Sequence, residues 1–159
     1  MLWYYPLLWT NGTCMKVMVL EDDKIAQLGI RKILSNLEFK IELVLLENGR
    51  EGLDYLLGNP EATPDLILLD INMPIMNGHE FLEALRKNQE WQDLPVVIHT
   101  TSNNPGDLNK SRALGVMGYF VKHIDYAQYK LNLENIMRYW AESMQKNSMQ
   151  VSQALRLSI

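Results

Sequence analysis

A chain of 159 residues, 47% apolar and 21% charged, has the size and makeup of one soluble globular domain with room for a full core. Its net charge of −4 argues against nucleic-acid binding through an overall positive field. No run approaches the roughly 20 apolar residues that span a bilayer, and a lone cysteine, Cys14, cannot form an internal disulfide, which fits a reducing, cytoplasmic setting.

In chain order, short apolar runs alternate with helical patterns. Residues 16–20 read as a first strand. Residues 23–37 read as an amphipathic helix with apolar Ile25, Leu28, Ile33 and Leu37. A second strand over 41–46 leads to a helix over 49–57 that stops at Gly58-Asn59-Pro60. Residues 66–70 form a third strand and 78–88 a third helix. Residues 94–100 form a fourth strand, whose following helix ends before Gly115. Residues 116–122 form a fifth strand, and 126–144 a long last helix. Strands that are nearly all apolar, each followed by a helix, predict a doubly wound α/β domain with a parallel sheet buried on both faces. Residues 1–14 and 145–159 fall outside this pattern. The first carries two Trp and two Tyr, and because the pattern begins right after it, Met15 is the expected natural start.

The chemistry gathers at strand ends. Glu21 and Asp22 close the first strand, Asp70 the third, Thr100 the fourth and Lys122 the fifth. In a parallel sheet these ends share one edge, which is where open α/β sheets bind ligands. A carboxylate there can act as a nucleophile toward a phosphoryl group if a hard divalent cation, a lysine and a hydroxyl neutralise and hold the phosphoryl oxygens.

These residues, in the runs Val19-Leu20-Glu21-Asp22-Asp23, Leu68-Leu69-Asp70-Ile71-Asn72-Met73-Pro74, Asn77-Gly78, Pro95-Val96-Val97-Ile98-His99-Thr100-Thr101-Ser102 and Gly118-Tyr119-Phe120-Val121-Lys122, closely resemble the receiver domain of two-component response regulators. The match covers residues 15–144. The resemblance implies a flavodoxin-like (βα)5 sheet in the order 2-1-3-4-5, with Asp70 as phosphoacceptor. It implies Mg²⁺ held by Asp22, by Glu21 through water, by Asp70 and by the backbone carbonyl of Asn72. Lys122 and Thr100 would contact the phosphoryl group, Thr100 and Tyr119 would form the switch pair, and a sensor histidine kinase or phosphotransfer protein would be the donor. The Thr100-Thr101-Ser102 run and Arg138-Tyr139-Trp140 resemble, more narrowly, the small stand-alone regulators paired with phytochrome-type kinases.

Two positions depart from the family pattern. His123 stands where proline usually follows the lysine, and Thr101 is bulkier than the usual residue after the switch hydroxyl. Asn72 and Ser102, two residues past Asp70 and Thr100, are expected to set the rate of self-dephosphorylation by guiding water.

Other readings fare less well. An aspartyl-phosphate hydrolase would want an acid at position 72. A flavodoxin-like cofactor module would want a glycine-rich phosphate loop after the first strand. A phosphorylation-independent interaction module on the same fold is the remaining alternative.

His99 is expected to be a satisfied core residue, and His79 and His123 surface residues. Tyr129, Leu133, Ile136 and Trp140 form the core stripe of the last helix. The further apolar residues Leu131, Met137, Tyr139 and Met144 suggest a homodimer formed through the fourth helix, fifth strand and fifth helix.

Overall fold

The computed structural model describes residues 14–156, so the expectations for residues 1–13 and 157–159 lie outside it. Its strands are β1 (Met15–Leu20), β2 (Ile41–Leu46), β3 (Leu66–Leu69), β4 (Val96–Thr100) and β5 (Gly118–Val121). Its helices are α1 (Lys24–Leu34), α2 (Gly49–Gly58), α3 (Gly78–Lys87), α4 (Pro105–Ala113) and α5 (Tyr126–Arg156), with a short 3-10 turn at Pro60–Ala62. The five strands form one parallel sheet, as the sequence pattern predicts, in the order β2-β1-β3-β4-β5 that the resemblance implies.

The three central strands bury every residue but Lys16, because helices cover both faces of the sheet. Two apolar clusters result. Val17, Val19, Leu66, Leu68 and Val97 face α1 and α5, where Ile30, Ile33, Leu133 and Met137 meet them. Met18, Leu20, Ile67, Leu69 and Ile98 face the other way, against Phe81, Leu82 and Leu85 of α3. Side-chain caps set the helix starts. Asp23 accepts from the Ile25 N–H at 2.8 Å, Asn48 from Glu51, and Asn77 forms a capping box with Glu80.

Four expectations are corrected. Ile25 and Leu28 do not face the core: they are 80% and 65% exposed, and α1 instead buries Gln27, Ile30, Ile33 and Leu34. Gln27 takes a core position because its amide donates to backbone carbonyls there. His79 is buried rather than superficial, since its Nε2 lies 3.0 Å from the Oγ of Ser111 on α4. Met137 belongs to the core, not to an outer face. The last helix runs past Met144 to Arg156, because no Gly or Pro interrupts it.

The β3–α3 loop stores strain. Ile75 has φ +67°, in a tight turn where the Met76 N–H donates to the Pro74 carbonyl at 2.7 Å. A β-branched side chain is disfavoured there. Since Ile75 is exposed, Ile75→Gly is expected to raise the unfolding free energy by about 1 kcal/mol in a urea titration.

Candidate functional site

Strand geometry brings the predicted residues to one edge. β1 and β3 pair in register through Leu20 and Leu69, so the residues that follow, Glu21 and Asp70, leave the sheet side by side. The Asp70 N–H donates to the Leu20 carbonyl at 3.0 Å. Carboxylate oxygens of Glu21, Asp22 and Asp70 all lie within 4.8 Å of one another. Glu21 and Asp70 are buried and Asp22 is exposed.

Lys122 arrives from the end of β5, where its backbone N–H donates to the Thr100 carbonyl at 2.7 Å. Its Nζ lies 2.7 Å from Asp70 Oδ2 and also donates to Glu21 Oε2. The peptide bond into His123 is trans, as are all those among the described residues, and His123 is exposed. Burial pulls the Lys122 ammonium down, but the charges and hydrogen bonds of Asp70 and Glu21 outweigh it and hold its pKa above the ordinary lysine value. Burial lifts Glu21 above the ordinary carboxylate value despite Lys122. Three carboxylates against one ammonium leave an excess of two negative charges in a cluster of hard oxygen donors. That donor set fits a divalent cation such as Mg²⁺ or Mn²⁺, with Asp22 open to solvent for its waters.

Thr100 is fully buried, and its Oγ1 accepts from the Ser102 N–H at 3.2 Å. The half-buried Tyr119 donates its hydroxyl to the Ser102 carbonyl at 3.0 Å. Ser102 Oγ in turn donates to Asp107 in the first turn of α4, at 2.5 Å. The two expected switch residues thus meet on one loop residue. Asn72 is exposed, its N–H 3.3 Å from Asp70 Oδ1.

His99 lies beneath the site, its ring centroid 5.3 Å from that of Tyr129. Burial, reinforced by the Lys122 charge, lowers its pKa to about 4 against the partial opposition of Asp70. In the unfolded chain the imidazole titrates near 6.5. Below that pH the unfolded state takes up a proton that the folded state refuses, so the stability from neutral His99 is complete above about 6.5 and is lost as the pH falls toward 4. From pH 7 to pH 5 this amounts to about 2 kcal/mol. Urea titrations at both values should show His99→Leu losing less stability than the parent by about that amount.

Sequence reasoning did not single out Gln27, the buried amide behind Glu21. The signal was available, because 27, 30 and 34 share the helical period of the buried face.

The response regulator receiver domain model matches residues 17–134. Response regulator Rcp1 of Synechocystis is 29% identical over 132 residues, covering 80% of this chain and 90% of its own. The probable methanogenesis regulatory protein FilR2 of Methanothrix harundinacea is 29% identical, covering 78% and 82%. Among solved structures, the phosphorylated cyanobacterial phytochrome response regulator RcpA superposes with a TM-score of 0.78 at 30% identity, covering 82% of this chain and 96% of its own. The Mn²⁺-bound form of Rcp1 superposes with a TM-score of 0.73 at 28% identity, covering 79% and 94%. With the acid cluster at the carboxyl edge of a 2-1-3-4-5 sheet and a family model spanning most of its length, the chain belongs to the response regulator receiver family.

Proposed function

We propose that this receiver takes a phosphoryl group onto Asp70 from a phosphohistidine of a sensor kinase or phosphotransfer protein, with Mg²⁺, in a cytoplasmic setting. The observation that carries the reading is the shared lysine. Lys122 bridges two buried acids beside an exposed third, and ordinary strand-end lysines have no reason to be so placed.

In the reaction an Asp70 oxygen attacks phosphorus and the P–N bond breaks. The bonding pair stays on the donor imidazole nitrogen. A cation held by Asp22, Asp70 and the Asn72 carbonyl, and by Glu21 through water, would offset the charge that builds on the phosphoryl oxygens. Lys122 exchanges part of its pairing with Asp70 for a phosphoryl oxygen, and Thr100 donates to another. Asn72 and Ser102 border the path of the water that later hydrolyses the acyl phosphate.

Apolar side chains stand exposed on elements that leave this edge: Ile25 and Leu28 on α1, Ile75 after β3 and Ile124 after β5. They suit an apolar donor surface docking over the acids. The output is a rearrangement of Thr100 and Tyr119 passed to the α4–β5–α5 face, which a second copy covers. Exposed Phe120, Val121, Leu131 and Tyr139 on β5 and α5 support that surface.

Beryllofluoride with Mg²⁺, which stands in for a phosphoryl group on a carboxylate, tests the switch. Sedimentation is expected to move toward dimer, and Phe120→Glu with Tyr139→Glu to keep the chain monomeric. A monomer at high concentration in both states would contradict the output face.

A further inference from the structure

We infer that Gln27 is a positioning residue for the metal-binding acids, an assignment that rests on reading Glu21 and Asp22 as those acids. Gln27 sits on α1 with 6% of its surface exposed, among Ile30, Ile33 and Leu34. Its Nε2 donates to the Glu21 carbonyl at 2.6 Å and, at 3.4 Å, to the Leu46 carbonyl at the end of β2. The Glu21 N–H donates to that same Leu46 carbonyl at 2.9 Å. Both ends of residue 21 are therefore tied down, its amide to β2 and its carbonyl to α1.

The consequence falls on Asp22. The carbonyl that Gln27 holds belongs to the peptide joining Glu21 to Asp22, and its orientation sets the direction in which Asp22 leaves the backbone. The Glu21 side chain has other supports, from the Asp23 N–H at 3.3 Å and from Lys122. Asp22 is exposed and its side chain makes no hydrogen bond among the described residues, so its placement depends on the backbone beneath it. Burying an amide in an apolar helix face costs free energy unless its donors are used. A leucine at 27 would serve packing alone, whereas glutamine adds a donor at the buried carbonyl that aims Asp22.

The test is Mn²⁺ titration followed by the paramagnetic resonance signal of the free ion, on the full chain. Gln27→Met keeps the length and apolar contacts but removes the donor, and is expected to weaken Mn²⁺ binding about tenfold, as loss of an outer support does in other metal sites. Its phosphorylation rate by acetyl phosphate should return to near the parent value once the metal is saturating. Ile30→Val, which loosens the same helix face, should lower thermal stability with Mn²⁺ affinity unchanged. Should Gln27→Met fail to fold, Gln27→Ala leaves room for water at the same carbonyls and should weaken binding in the same direction. Parent-like affinity in both Gln27 variants, or an equal loss in Ile30→Val, would overturn the assignment alone. A parent chain that neither binds Mn²⁺ nor accepts phosphate would overturn the functional reading and this assignment with it.

Discussion

Lys122→Met is expected to slow phosphorylation by acetyl phosphate on the order of 100-fold at saturating Mg²⁺, the effect of removing one preorganised charge from a transition state. The same change should destabilise the fold by about 3 kcal/mol at neutral pH, since it leaves the buried Glu21 and Asp70 without their shared cation. Two changes should narrow the gap to the parent measured under the same conditions. Millimolar Mg²⁺ replaces the missing charge in the cluster. Lowering the pH protonates Glu21, whose carboxyl burial already places above the ordinary range. Urea titrations with and without metal, at pH 7 and pH 5, check both. A variant as stable as the parent at pH 7 without metal would mean that the two acids do not share the lysine in solution.

Gly78→Ala is expected to cost about 3 kcal/mol and to impair phosphorylation at the same time. Gly78 opens α3 against the backbone of Asp70 and Ile71. Its N–H donates to the Ile71 carbonyl at 2.9 Å, and an added Cβ would lie 2.9 Å from Ile71 Cα and closer still to the Asp70 carbonyl oxygen. Both neighbours are backbone, so no side chain can swing away. The strand end carrying Asp70 would have to move, and with it the carboxylate that meets Lys122. Gly106, by contrast, opens α4 with only the Asn104 side-chain amide within 4 Å, at 3.2 Å or more. Gly106→Ala should therefore leave the phosphorylation rate within twofold of the parent, and comparing the two variants separates a local helix effect from displacement of the site.

The sheet was readable because its signal is redundant. The three central strands are mostly apolar, β3 wholly so and β1 and β4 broken only by Lys16, His99 and Thr100, and burial on both faces requires that composition. The site was readable for a related reason. Its acids and lysine follow strand ends, and a parallel sheet converts that position in sequence into convergence in space.

Less could be read where a polar residue is satisfied by a distant partner. His79 looks like a surface histidine until Ser111 is known to reach it, and Gln27 looks like a solvent position until two backbone carbonyls turn it inward. With Gln27 on the buried face of α1, Ile25 and Leu28 fall on the outer one, although composition alone would have buried them. The strained turn at Ile75 was equally hidden, since it is dictated by the path from Asp70 to Gly78 and not by the preference of isoleucine.

Intact mass after incubation with acetyl phosphate tests the central claim most directly, on the parent chain and on Asp70→Asn, each with Mg²⁺ or with a chelator. One added phosphoryl group on the parent, lost with the chelator and absent from Asp70→Asn, is the predicted result. An adduct that survives Asp70→Asn, or none on the parent under rapid quench with Mg²⁺ present, would contradict phosphoacceptance at Asp70 and leave the fold serving as a phosphorylation-independent interaction module.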